Sequence, residues 1–220
     1  MKDDLKKKTT NAAKKSEMQE TSFVLPELDI QVVEIPIEGT SELICHNWSV
    51  KIKREMLQKQ MGKAQQKKAP KDPDEEFRGS LYPFDGQPIE VVPHPGGYGF
   101  PAIAFKNAAV TACTSLGKAV MTKVAARQSF HILGELVKLD APEPRMREDM
   151  VRVGMGVADL RFRGGFVTWG AVTRWSINRR VISPEQLTNL VNIAGFAVGV
   201  AEWRPEKGGP FGRFRVKAQS

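Results

Sequence analysis

Cations that alternate with apolar residues are the groups of this sequence best spaced to do chemistry. Arg213, Arg215 and Lys217 alternate with Phe214 and Val216, and Arg161 and Arg163 alternate with Leu160 and Phe162. Successive side chains of a strand point to opposite faces, so this spacing aims the cations one way and the apolar groups toward a core. The planar fork of arginine suits bidentate phosphate contacts and stacking on bases. Residues 141–220 hold thirteen Lys or Arg, eleven of them arginine, against seven acids. Arg174, Arg204 and Lys207 belong to this set. Trp203 and Phe211 offer stacking surfaces, the latter inside Gly208-Gly209-Pro210-Phe211-Gly212. Lys59, Lys63 and Lys67 recur every four residues and form a basic helix face. The chemistry expected is contact with a nucleic-acid backbone. An antiparallel sheet with one wet face suits the same pattern.

Catalytic constellations fail on inspection. Gly154-Met155-Gly156 begins like a dinucleotide fingerprint, but Asp159 stands where a glycine or alanine is needed, and the segment enters a strand. Gly117-Lys118 lacks the flanking residues of a phosphate loop. His46, His94 and His131 are scattered, and no Gly-x-Ser-x-Gly elbow is present. Glu75-Glu76 sits in a proline-rich stretch that reads as solvated. The expectation is a non-enzymatic protein with no metal and no organic cofactor.

The chain has 220 residues, 41% hydrophobic and 26% charged, with a net charge of +8. That length buries a sizeable core. No apolar run reaches the ~18 residues of a membrane-spanning helix, and the charged start carries no apolar signal region. Cys45 and Cys113 are isolated, which suits a reducing compartment. The basic surplus favours a polyanionic partner, because binding releases counterions.

The elements that must position these residues read as follows. Residues 1–22 form a polar, lysine-rich arm expected to be disordered, and 23–220 form a single α+β domain. A β-branched strand runs from Leu28 to Ile37, and Leu43 and Ile44 extend it. A helix spans Lys51 to Lys68, weakened at Gly62. Residues 70–100, with six prolines, read as a long irregular insertion. Helices follow from Pro101 to Gly117 and from Thr122 to Gln128, then a strand over Ile132–Leu139. Residues 157–163 and 166–177 alternate around Gly164-Gly165 and read as a hairpin. Ser183-Pro184-Glu185-Gln186 is a capping box opening a helix that Gly195 stops. Strands over Val198–Arg204 and Gly212–Lys217 complete the chain. The simplest architecture is ferredoxin-like or RRM-like, an antiparallel sheet with helices on one face.

Taken together, Val33–Thr40, Gly99-Phe100-Pro101-Ala102, Lys106-Asn107-Ala108, Asp159-Leu160-Arg161 and especially Gly195–Val200 through Trp203-Arg204-Pro205 to Phe211–Phe214 resemble a family of uncharacterised bacteriophage proteins. The resemblance covers about residues 30–217 and implies expression in the cytoplasm of a bacterial host. More distantly, the arrangement is similar to the RAMP superfamily, the backbone subunits of CRISPR effector complexes. That similarity implies an RNA-recognition-like core, a glycine-rich loop near the C-terminus and filamentous assembly along RNA. The function expected is binding of single-stranded RNA or DNA by a homo-oligomer with no membrane partner. The alternative is a phage structural or assembly protein, or a protein-binding inhibitor of host defence.

Overall fold

Alternation along one strand builds the centre of the molecule. The computed structural model describes residues 27–48, 50–62, 70–117, 121–153 and 156–218; the arm at 1–22, with Lys63 and Lys67, lies outside them. Strand β1 (Ile30–Gly39) buries Ile35 and Ile37 and turns Glu34 and Glu38 to the other face. It lies between β8 (Gly170–Asn178) and β9 (Phe214–Val216), antiparallel to both. The far side of β8 takes two short strands, β4 (Phe130–Ile132) and β5 (Leu136–Asp140), and β3 (Gly99–Pro101) pairs with β5. The strand expected over Ile132–Leu139 is thus two strands, broken at Gly134, whose φ is +88°.

The helices α3 (Ala102–Ala112) and α5 (Pro184–Ala197) pack against each other on the inner face of this sheet, and α5 also packs on β9. In α5 the Ser183 hydroxyl accepts from the Gln186 N–H while the Gln186 side chain accepts from the Ser183 N–H. Leu187, Leu190, Val191 and Ala194 are buried. Gly195 does not stop this helix. It lies within it because a Cβ there would overlap the Phe214 carbonyl. Phe100, Phe105, Phe214 and Trp169 form an edge-to-face chain with centroid spacings of 6.0, 5.7 and 6.2 Å.

A second, three-stranded antiparallel sheet orders β2 (Leu43–Ile44), β7 (Val157–Phe166) and β6 (Arg145–Val153). Here the expected hairpin fails. Gly164 and Gly165 lie inside β7 rather than in a turn, and β7 and β8 belong to different sheets. A side chain at Gly164 would overlap Leu81, and one at Gly165 would overlap Glu42. The glycines permit close approach, not reversal.

Two further corrections concern loops. Helix α1 (Val50–Gln60) gives way to a turn at Met61-Gly62, and the expected continuation to Lys68 lies outside the described residues. The insertion at 70–100 contains α2 (Pro73–Ser80), capped by Asp72, whose carboxylate accepts from the N–H groups of Asp74 and Glu75 at 3.0 and 3.1 Å. Helix α4 (Lys123–Ser129), with Thr122 as its cap, matches the expectation. Residues 198–204 form no strand, because Ala201 and Trp203 take positive φ angles of 68° and 50°. The chain is α+β with antiparallel sheets.

Candidate functional site

Pairing of β6 with β7 sets Arg147 opposite Arg163 and Asp149 opposite Arg161, which puts a run of charge on one face of the small sheet. Glu42, beside β2, accepts from Arg145 Nε and Nη2 at 2.8 and 2.7 Å and from Arg147 Nη1. Arg147 Nη2 donates to Asp149 Oδ1 at 3.1 Å. Arg163 lies 3.9 Å from Asp149 and 4.0 Å from Glu202, and His46 Nδ1 lies 3.1 Å from Glu202. This network ties the sheet to the C-terminal loop.

Arg163 is only 5% exposed, and Leu160 is partly exposed. The expected alternation is real but inverted, because the charged face is the covered one. Burial pushes the Arg163 guanidinium below its ordinary pKa, and its Nε and Nη1 have no hydrogen-bond partner among the described residues. Burial alone would raise Glu42, but the hydrogen bond from Arg145 and the charges of Arg147 and Arg145 hold it below its ordinary value. The hydrogen bond with His46 does the same for Glu202, against burial and helped by Arg163.

The loop from Val198 to Arg213 is wound tightly over this network. Val200 N–H donates to Gly212 O at 2.9 Å, Gly212 N–H to Glu42 O at 2.8 Å, and Phe211 N–H to Trp203 O at 3.2 Å. Gly212 has φ +65°, and a Cβ there would overlap the Val200 carbonyl, so glycine is required. Trp203 is the unusual residue. A bulky L-residue in the left-handed region is a backbone outlier. The residue is 42% exposed, and its ring lies 6.2 Å from Phe211 at 34°. Arg147 sits 4.8 Å from the Phe211 centroid, so an indole, a phenyl ring and a guanidinium form one platform.

The other expected site residues are dispersed. Arg174 and Arg215 stand on the open face of the large sheet, but Glu34 holds the first at 3.2 Å and Glu38 the second at 2.5 Å. Arg204 Nε and Nη2 both donate to Glu206 Oε2, at 2.9 and 2.6 Å. Arg161 Nε is bound to Asp159 at 3.1 Å. Arg213 lies 5.6 Å from the Phe196 ring, and its Nε is buried without a hydrogen-bond partner among the described residues. Lys207 and Lys59 are exposed and make no ion pair among the described residues. Sequence reasoning missed Glu42, His46, Arg145, Arg147, Asp149 and Glu202 as a unit. Only the Arg145–Arg147–Asp149 alternation hinted at it.

The fold and this site define an α+β chain whose C-terminal loop presents aromatic groups against arginine. No family model matches the chain, and no curated protein matches it. Among solved structures it is similar to the crystal structure of Cmr6 from Pyrococcus furiosus, with a TM-score of 0.44 and 10% identity over 87% of this chain and 100% of that one. A likeness at that score assigns no function to this chain. No helix among the described residues is long and apolar enough to cross a membrane.

Proposed function

We propose that the chain is a non-enzymatic protein that binds single-stranded nucleic acid, RNA or DNA, with bases on Trp203 and Phe211 and the phosphate backbone beside the exposed Lys207. The observation that carries this is Trp203, held exposed by a left-handed backbone on a ring-and-guanidinium platform. Strained backbone persists where surrounding structure over-determines it, and such strain clusters at ligand clamps. A ferredoxin-like, RRM-like core is supported by the spatial order β9-β1-β8-β4/β5, with α3 and α4 leading into β4 and α5 leading into β9. The strand runs over the loop, not the open sheet face, because Glu34 and Glu38 already occupy Arg174 and Arg215. Copies line up along the strand, as the resemblance to RAMP subunits implies, in the bacterial cytoplasm that the resemblance to phage proteins implies.

Fluorescence anisotropy of labelled single strands over a salt series tests the reading. Affinity should fall with salt at a log–log slope of about −0.7 per phosphate contact. Trp203→Ala should weaken binding at every salt concentration. Absence of salt-sensitive binding by the parent overturns the reading in favour of a protein partner. The observation behind that second reading is the exposed apolar face of the β6–β7 hairpin, where Met150 is 73% exposed beside Met146 and Leu160.

A further inference from the structure

A cleft of about 430 Å³ runs beside β7, enclosed by residues 46–48, α1 and α2. It shares no lining residue with the Trp203 platform. Its wall segment is fixed: Asn47 N–H donates to Ser80 O at 2.8 Å, Asn47 Nδ2 to Leu81 O at 3.0 Å, and Tyr82 O–H to His46 O at 3.1 Å. Cations line it through Arg161, Arg163 and Lys71, with the His46 imidazole beside them, and apolar groups through Trp48, Met56 and Phe162. Trp48 is 48% exposed.

The acids at the cleft are already engaged. Asp159 binds Lys71 Nζ at 2.5 Å and Arg161 Nε at 3.1 Å, and Glu76 accepts from the Phe162 N–H at 3.5 Å. Behind the wall, Glu202 takes His46, and Asp149 stands 3.9 Å from Arg163. Two sets of donors remain. Arg161 Nη1 has only a long contact with His46 Nε2, at 3.4 Å, and Nη2 has no partner among the described residues. Arg163, nine-tenths buried, leaves Nε and Nη1 without a hydrogen-bond partner among those residues, its charge lying beneath the cleft wall with Asp149 at 3.9 Å. Unsatisfied buried donors are costly, and a guanidinium is best satisfied by an anion that offers several oxygens.

We propose that this cleft binds a nucleoside phosphate, with the phosphoryl group hydrogen-bonded by Arg161 above the buried charge of Arg163 and the base against Trp48. A free mononucleotide and the 5′-phosphorylated end of a strand present this same chemistry. The aromatic wall supplies the base contact, since stacking is tolerant of base identity.

Isothermal titration calorimetry of the full chain with AMP, adenosine and inorganic phosphate tests the proposal. AMP should bind saturably and more tightly than either fragment. Arg161→Gln should weaken AMP on the order of tenfold to a hundredfold, as expected for lost hydrogen bonds to a charged group. Trp48→Ala should cost about tenfold and bring AMP toward phosphate. Both sites are partly exposed, and a melting curve for each variant confirms folding. Anisotropy of labelled strands that lack a 5′-phosphate reads the Trp203 platform by itself, and Trp48→Ala should leave it unchanged, so failure of the platform and failure of the cleft are separately visible. Absence of AMP binding, equal binding of adenosine, or AMP affinity indifferent to both Arg161→Gln and Trp48→Ala overturns the proposal. A 5′-phosphorylated dinucleotide that competes with AMP supports a strand end as the ligand; failure to compete beside saturable AMP binding supports a free mononucleotide.

Discussion

Replacing Trp203 by alanine and by glycine separates the two roles of this residue. Both variants lose the indole and its contact with Phe211, so that loss cancels when they are compared. What differs is the backbone, which holds φ at +50°. A left-handed conformation costs an L-residue ~1–2 kcal/mol, while glycine gives back ~0.5–1 kcal/mol through its freer unfolded chain. Trp203→Gly should therefore be the more stable by about 0.5–1 kcal/mol. At about 2–4 °C per kcal/mol for a chain of this length, that is a Tm difference of roughly 1–4 °C. Urea unfolding at matched pH gives the same difference independently. Strand binding, read by anisotropy, should fall equally in both, on the order of tenfold to a hundredfold for a lost stacking contact. If Trp203→Ala equals or exceeds Trp203→Gly in stability, residue 203 is not left-handed in solution. If binding survives both, Trp203 is not a stacking group and the platform reading fails.

Glu42→Gln should destabilise by about 2–3 kcal/mol, less than the ~3–5 for a fully buried pair, because Arg145 stands largely in solvent. Glu42 and Glu202 both titrate below their ordinary 4.5, so the stability they add is complete above about pH 5 and is lost as pH falls through their lowered folded values. The Glu42→Gln variant should show a shallower loss of stability than the parent between pH 5 and pH 3, measured by urea midpoints; an equally steep loss would remove Glu42 from the account. Gly195→Ala should cost about 1–3 kcal/mol, since the new methyl must push α5 off the Phe214 carbonyl. A neutral thermal melt for that variant would mean that α5 and β9 are not in close contact.

Elements specified by neighbours in sequence were readable; those specified by neighbours in space were not. The Ser183/Gln186 box and the i, i+3, i+4, i+7 spacing of α5 are local, and so is the buried alternation of Trp169, Ala171, Thr173, Trp175 and Ile177. Helix α2 was hidden because Pro73, counted among six prolines, looks like a breaker. Placed directly after Asp72, it is instead the first residue of a capped helix. Gly164-Gly165 carries no local mark to distinguish a turn from a strand pressed against Leu81 and Glu42. Those two side chains come from more than eighty residues away.

The site follows the same division, with a consequence for how a strand is recognised. Alternation correctly gave the strands that carry the arginines, but the acid opposite each one depends on register. Glu34 meets Arg174, Glu38 meets Arg215, and Glu42 meets Arg145 and Arg147 only once the sheets are assembled. The cations chosen for phosphate contact are therefore largely structural. The net charge of +8 rides elsewhere. Arg152, Arg179, Arg180, Lys207 and Lys217 make no ion pair among the described residues and sit at strand ends and turns. Charge spread in this way attracts a polyanion from a distance without fixing its register. On the function proposed above, register comes from a group that holds one base at a time, and the strained, exposed Trp203 is the residue to which that reading assigns it.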